Sequence, residues 1–397
     1  MCASNIRFAL RNRNARTACP PHYMKMPTRR NHLTVLLCVF FYSVLSTPSQ
    51  SQNLTAILVE AIRSKTVVGA QILEGSSELP EVKSINLGFT SPDGRNPVSE
   101  ETMFCIASCS KPLISSVIFT LVEQRQIALD APIHRWLPDF TRSQLADGTP
   151  THAPTLKQLL AHRAGIYSQK EQPTAEQLRA IRDFRLTLSQ SVNLIAQQPL
   201  QSPPGHRYAY SGAGYCLIGA IAEEAARQPI DVILRTQLCE PLGMSSTTYF
   251  PHRINGTVVA TGGAPSSLPP HLLGQQLKLP LVGGSIHTTA HDLQRFARMV
   301  ADRGTFENQR IMNRATWSQY VSQPYKNQQY GYGWTRTVNA DGIVLSHNGS
   351  LPPSQAMLQI NLRTRQYKIA LWTLASPGNS KTTSILRSKI RQVFKDK

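Results

Sequence analysis

The chain contains no Gly-x-Ser-x-Gly elbow, no Cys-x-x-Cys pair and no His-Glu-x-x-His sequence. The first absence removes the strand–turn–helix serine site of the α/β-hydrolases. The second removes zinc ribbons and dithiol redox motifs, and the third removes the helical zinc-protease site. His287 and His291 are four residues apart, but Thr289 and Asp292 have the spacing of a capping box, which puts His287 outside the helix that follows. No metal and no cofactor are expected. Acidic residues are scarce: 23 stand against 42 basic ones, and residues 1–52 hold seven basic residues and no acid. The remaining 35 basic and 23 acidic residues leave +12, spread along the chain apart from a basic C-terminal helix. No basic stripe with interleaved aromatics accompanies that charge, so nucleic acid is not an expected partner. Attraction to an anionic cell wall or membrane surface is the partner class the charge suits. Cysteines are few. Cys2, Cys19 and Cys38 precede residue 53, and Cys105, Cys109, Cys216 and Cys239 follow. One helical turn between Cys105 and Cys109 does not suit a disulfide, and all four read as buried apolar thiols.

Leu33 to Leu45 is an apolar run of about thirteen residues, short of the about 20 that a membrane-spanning helix needs. A basic segment precedes it and small polar residues follow, Ser46 to Ser51, which is the pattern of a signal peptide. Residues 1–52 are therefore expected to be a basic leader and signal peptide, and the protein to be exported, periplasmic or extracellular. A start at Met24 or Met26 gives the leader an ordinary length. An uncleaved membrane anchor and an organelle transit peptide are the alternatives.

Residues 53–397 read as one domain. Leu54 to Ser64 has apolar residues at helical spacing; Thr66–Leu73 and Ser84–Phe89 read as a strand hairpin. Helical patterns fill the middle: 155–162, 172–200, 213–227, 229–238 and 289–300. Residues 251–281 are rich in Pro and Gly and read as a long loop. Strand patterns return at 342–346, 355–362 and 367–374, before an amphipathic basic helix at 380–397. Strands at both ends with helices between predict an α/β (α+β) fold. Its antiparallel sheet is built from both chain ends and flanked by helices, with an all-helical subdomain inserted at about 120–282.

The chemistry centres on Phe104-Cys-Ile-Ala-Ser108-Cys-Ser-Lys111-Pro-Leu-Ile. Pro112 lacks a backbone N–H and fits only the first turn of a helix. That places Ser108 at the helix N-terminus and Lys111 one turn up the same face. The positive end of the helix disfavours an ammonium on Lys111 and favours an alkoxide on Ser108, as an activated serine requires. Two further segments supply partners. Tyr208-Ala-Tyr210-Ser-Gly212 follows the Pro203-Pro-Gly205 break, and His347-Asn-Gly349 follows an apolar strand.

In this order the three segments resemble the penicillin-recognising serine hydrolases, which include class C β-lactamases, serine D-Ala-D-Ala carboxypeptidases, D-aminopeptidases and related esterases. That family carries S-x-x-K, Y-x-N and a strand with K-T-G or H-x-G. Thr155–Gly165, Glu240–Met244, Gly283–Ser285 with Thr288–Phe296, and Tyr330–Trp334 are also similar to it. The resemblance runs from about residue 54 to the C-terminus. It implies a β-lactamase/DD-peptidase-like fold, with Ser108 as nucleophile, Lys111 as its base and Tyr210 as the second proton-transfer group. His347 would line the opposite wall, placing a substrate carboxylate or assisting Tyr210. The backbone N–H groups of Ser108 and Ser350 would form the oxyanion hole, and Gly349 would let the substrate lie against the strand edge. His162 reads as structural, and no role can be derived for Arg163 or Trp334.

Two departures are visible. Gly212 stands where the family often has an Asn that hydrogen-bonds a substrate amide, and Pro353 falls where a Gly-aromatic pair is common. The first mildly favours esterase-like activity, the second predicts a different cleft edge, and His347 in place of Lys suits carboxypeptidase- and esterase-type members. The expectation is an exported serine hydrolase acting through an acyl-Ser108 intermediate on an ester, amide or β-lactam of a small-molecule or peptide-like substrate. The alternatives are a catalytically silent, penicillin-binding-like ligand-binding protein and a basic wall- or membrane-attached structural protein. Oligomeric state has no signal in the sequence.

Overall fold

The computed structural model describes residues 50–263, 268–272, 274–376 and 380–395. The leader expected over residues 1–52 lies, up to residue 49, outside the described residues. Among the described residues ten strands form: β1 (Val67–Ser76), β2 (Val82–Gly88), the two-residue pair β3 (Phe104–Cys105) and β4 (His287–Thr288), the small hairpin β5 (Thr305–Phe306) and β6 (Gln309–Arg310), then β7 (Thr335–Asn339), β8 (Gly342–Leu351), β9 (Ser354–Asn361) and β10 (Gln366–Leu374). Six of them make one antiparallel sheet in the order β2-β1-β10-β9-β8-β7. β1 and β10 are neighbours inside it, with Ile72 opposite Ala370, so the sheet is built from both ends of the chain as the sequence predicts.

Strand alternation decides which face each side chain covers. Ala70, Ile72, Ala370 and Trp372 pack under two helices, α1 (Gln50–Arg63) and the C-terminal helix Lys381–Lys395. The helices contribute Leu54 and Leu58, and Leu386, Ile390, Val393 and Phe394, at the three- and four-residue spacing of an apolar stripe. Leu73, Ile369, Leu371 and Leu358 face the opposite way, into the main core. Burial of each such Leu, Ile or Phe side chain contributes roughly 1.5–3 kcal/mol relative to exposure.

That second core is centred on α2 (Ser110–Glu123), which is buried on every side over its first twelve residues. From Ser110 to Val282 the described residues hold helices and turns and no strand of the large sheet. The helices are α3 (Leu156–Leu160), α4 (Ala175–Arg182), α5 (Leu188–Ala196) and α6 (Gly212–Ala226), followed by short helical turns over Ile230–Leu242. The sequence pattern over 172–200 reads as one helical stretch, but the structure divides it in two. Thr174 with Gln177 and Thr187 with Gln190 each form a reciprocal capping box, and each starts a new helix.

Two local expectations are corrected. Thr289 caps the helix Ala290–Ala301 by accepting from Asp292 N at 3.1 Å, but Asp292 does not return the bond. Its carboxylate instead accepts from Ser246 N (2.7 Å) and Thr247 Oγ1 (2.9 Å), fastening the preceding turn to this helix. β8 also runs on to Leu351, so His347–Ser350 lie within the strand rather than after it.

Candidate active site

β3 brings the nucleophile segment into place. Its pairing with β4, extended by Ile106 N donating to Ile286 O (2.9 Å), ties residues 104–106 to residues 286–288. A 3₁₀ turn, Ala107–Cys109, then leads into α2, with Pro112 in the first helical turn as its missing N–H requires. Ala107 has φ = 46°, the left-handed region that a residue with a Cβ seldom adopts. The turn is held there because Ser110 Oγ donates to Ala107 O (2.7 Å) and accepts from Ile286 N (3.2 Å). Ser108 is the partly exposed residue of this turn and opens into a cleft also lined by Lys111, Gln169, Gly212, Gly283 and Ser350.

Lys111 is 2% exposed. Its Nζ lies 3.3 Å from Ser108 Oγ and donates to Gly283 O at 2.8 Å. Burial, reinforced by the positive charge of Lys170, lowers its pKa to about 7. The ring of Tyr210 is within reach of the same amine, with Nζ 4.7 Å from its centroid. Burial pushes the Tyr210 phenol well above its ordinary range, against the opposing effect of its hydrogen bond with the Ser108 side chain. Tyr210 is therefore a protonated phenol at neutral pH.

Tyr210 is held from below. His162, itself at φ = 57°, accepts from Ser211 N through Nδ1 at 3.1 Å, and its ring centroid is 4.4 Å from that of Tyr210. Ser211 caps α6, accepting from Gly214 N at 3.0 Å, and donates to Tyr167 O at 2.7 Å. His162 is thus structural, as its sequence context suggests, and it acts directly on the Tyr210 loop. Arg163 has a similar service: it donates to Gln328 Oε1 (2.7 Å) and to Gly205 O (3.0 Å), closing the Pro-Pro-Gly bend ahead of Tyr208. Trp334 is a core side chain, stacked on Phe296.

The third segment approaches as an unpaired strand edge. β7 pairs with β8 only as far as Ser346, so one edge of His347–Leu351 has no strand beside it. The nucleophile turn lies against this stretch: Cys109 Sγ contacts His347 O at 3.2 Å, and a Cβ on Gly349 would be 2.2 Å from Ile106 O. The structure thus gives a different reason for Gly349 than the sequence reading did. The backbone that needs the space is the protein's own, not the substrate's. His347 also differs from expectation. It is 6% exposed, its Nε2 accepts from Tyr330 Oη (3.0 Å), and its Nδ1 is engaged with Asn348 O (2.9 Å). Burial, then the charge of Lys111, lowers its pKa to about 3. The ring is thus neutral with both nitrogens engaged, and its centroid lies 6.4 Å from that of Tyr210. Asn348 and Ser350, on the alternate face of the strand, are exposed, and Ser350 Oγ accepts from Gln355 Nε2 at 3.2 Å.

Gln169 was not singled out in the sequence. Gly212 N donates to Gln169 Oε1 (2.8 Å), and a Cβ on Gly212 would sit 3.5 Å from both Gln169 Oε1 and Nε2. A carboxamide therefore occupies the space left by the missing side chain at 212, supplied from the loop after α3. No motif marks Gln169, because its relation to Gly212 spans 43 residues of chain. Among the described residues no group of three or more His, Cys, Asp or Glu side chains is placed to hold a metal ion. The four cysteines from Cys105 onward are free and buried.

The Beta-lactamase family model matches residues 53–382, most of the chain, and the chain belongs to that family. Among curated relatives, esterase EstB of Burkholderia gladioli is 32% identical over 209 residues, covering 50% of this chain and 52% of EstB. The D-alanyl-D-alanine-carboxypeptidase/endopeptidase AmpH of Escherichia coli K12 is 24% identical, covering 64% of this chain and 66% of AmpH. Penicillin-binding protein 4* of Bacillus subtilis 168 is 24% identical, covering 69% and 61%. The match thus spans about half to two thirds of the length of these relatives. Among solved structures, EstCE1, a hydrolase with promiscuous acyltransferase activity, superposes with a TM-score of 0.72 at 22% identity over 87% of this chain and 98% of that one. The penicillin-binding protein from Bacillus halodurans superposes at 0.66 and 19% identity, over 86% and 100%. The fold is that of the β-lactamases and penicillin-binding proteins.

Proposed function

We propose that the protein is a serine hydrolase that cleaves an ester, amide or β-lactam bond through an acyl-Ser108 intermediate, with esters as the first substrate class to try. The observation that carries this reading is the 3.3 Å approach of Lys111 Nζ to Ser108 Oγ at a lysine whose pKa of about 7 leaves a large neutral fraction at neutral pH. Neutral Lys111 accepts the Ser108 proton as Oγ attacks the carbonyl carbon. The developing oxyanion is received by the backbone N–H groups of Ser108 and Ser350. The Tyr210 phenol, held protonated by burial, passes a proton to the leaving oxygen or nitrogen, and water then resolves the acyl-enzyme. The Gln169 carboxamide is the group we assign to the substrate's acyl carbonyl or amide. It replaces the Asn that Gly212 lacks, which also removes the main ground for a catalytically silent binding protein. His347 supports this wall through Tyr330 rather than by touching substrate. Ester preference draws on EstB and EstCE1 and on the absence of a cationic residue at 347.

The test is the wild-type protein exposed to a fluorophosphonate and to a fluorescent penicillin, read by intact-protein mass spectrometry and peptide mapping. A panel of p-nitrophenyl esters, nitrocefin and D-alanyl peptides is run beside it. One adduct on the Ser108 peptide together with ester turnover is expected. Tight ligand binding with neither adduct nor turnover is the outcome of a silent binding protein.

We also infer export and a stay at an anionic surface. The leader pattern supports export. The C-terminal helix supports attachment: it carries Lys381, Arg387, Lys389, Arg391 and Lys395 and no acid. Ile385 is 47% exposed on it beside an apolar groove of about 300 Å³ shared with α1. No described helix is long and apolar enough to cross a membrane. The occupant we assign to this face is an anionic bilayer, matched by charge and by the exposed apolar groove. Sedimentation with phosphatidylglycerol vesicles is expected to exceed that with phosphatidylcholine vesicles. It should fall several-fold in Ile385→Ser/Lys389→Gln and with rising salt. Equal binding to both vesicles, untouched by the double variant, refutes this face.

A further inference from the structure

We propose that Lys170 is a positioning residue for the Ser108 reaction: its ammonium, seated over the Tyr210 ring, adds to burial in keeping Lys111 in its neutral, proton-accepting form. The inference rests on the reaction proposed above. Lys170 is on the loop that clamps Tyr210, where Ser168 Oγ donates to Tyr210 O (2.7 Å) and accepts from Lys170 N (3.2 Å). Lys170 Nζ is 4.3 Å from the centroid of the Tyr210 ring, and Lys111 Nζ is 4.7 Å from the same centroid. The two amines are therefore at most about 9 Å apart. The neighbouring acid in sequence, Glu171, is paired with Arg207 at 2.9 Å and does not neutralise Lys170.

The groups bearing on Lys111 come from four directions. Cys109 precedes α2, Tyr215 and Cys216 are on α6, His162 and His347 flank Tyr210, and Lys170 is at the rim. Burial keeps the thiols and phenols protonated and the imidazoles neutral, which leaves Lys170 and, on the cleft wall, Arg182 as the cationic side chains about Lys111. Lys170 itself is faced by the Tyr210 ring, and its pKa is lowered by partial burial and then by the like charge of Arg391 from the C-terminal helix. The π face of Tyr210 attracts its ammonium at a distance where a cation–π contact is effective. His347 offers no charge from the opposite wall, being neutral and engaged through both ring nitrogens, and Arg182 is the other cationic side chain lining the cleft.

Two like charges about 9 Å apart displace a titration by about 0.3 to 1.3 pH units as the effective dielectric falls from about 80 to about 20. Removing Lys170 relieves the repulsion, so the protonated form of Lys111 persists to higher pH. The experiment uses the full chain as wild type, Lys170→Met and Lys170→Arg. Lys111 is titrated by NMR of ε-¹³C-labelled lysine, its signal assigned by loss in Lys111→Arg, and kcat/KM for a p-nitrophenyl ester is followed against pH. In Lys170→Met the Lys111 midpoint and the acidic limb of kcat/KM are expected to move up together by about 0.3 to 1.3 pH units, with KM changed less than about twofold. Lys170→Arg is expected to return both to the wild-type position. A Lys111 midpoint unchanged in Lys170→Met overturns the proposal, as does a rise in KM with the midpoint unmoved, which marks a substrate contact instead. Because the NMR midpoint needs no turnover, failure of the hydrolase reading appears separately, as the absence of a Ser108 adduct.

Discussion

Ser108→Ala takes no fluorophosphonate or penicillin label and loses ester turnover by about 10⁴- to 10⁶-fold, while folding as the wild type does. The size follows from removing the nucleophile of a concerted site, where the remaining groups act only on bound water. Folding is spared because Ser108 is partly exposed and its hydroxyl engages only the other members of the site, Lys111 and Tyr210. Neighbouring serines cannot substitute. Ser110 is fully buried with its Oγ committed to Ala107 O and Ile286 N. Ser350 is reachable, but its Oγ accepts from Gln355 rather than sitting against a buried amine. Turnover that survives in Ser108→Ala, by burst and steady-state assay, would relocate the nucleophile.

Lys111→Met has the second large effect, and it acts on activity and stability in opposite directions. Activity falls by about 10³- to 10⁴-fold with loss of the general base. In the wild type, kcat/KM falls as pH drops through about 7, tenfold per unit below it, because the protonated amine cannot accept the Ser108 proton. Methionine abolishes that limb. Stability moves the other way. The folded pKa of about 7 lies below the ordinary 10.5, so between those values the unfolded chain binds the extra proton. Stability therefore rises with pH across that window, and at neutral pH the folded state bears the cost of a buried, partly neutralised lysine. Replacing the amine by an apolar side chain of similar length removes the cost, so thermal denaturation at pH 7 should show a raised Tm. A lower Tm in Lys111→Met would mean that the Gly283 hydrogen bond outweighs desolvation.

Much of this site was legible because its residues lie in short, locally coded segments. Ser108 and Lys111 are one helical turn apart, and Pro112 fixes where that turn begins. The apolar runs of β1, β9 and β10 have the near-continuous burial of strands covered on both faces, and the strand-poor middle of the chain was evident from helical spacing. What was missed lacks a local signature. Gln169 gains its meaning only from Gly212, across 43 residues. Lys170 gains its own from the ring of Tyr210. The split of 172–200 was missed although Thr174/Gln177 and Thr187/Gln190 carry a readable capping pattern.

The amino-acid order alone marked Ser108, Lys111 and Tyr210 as the candidate site and determined the class of fold, since helix N-termini and strand periods depend on residues within a few positions of one another. Tertiary packing alone decided the protonation states. His347 is neutral because it is buried and then because the charge of Lys111 is near, and Lys111 is largely neutralised because several separate segments close over it. The space that only glycine can fill at 349 was likewise set by the backbone of Ile106, more than two hundred residues earlier. Desolvation and close approach are properties of what surrounds a group, and no stretch of sequence specifies its own surroundings.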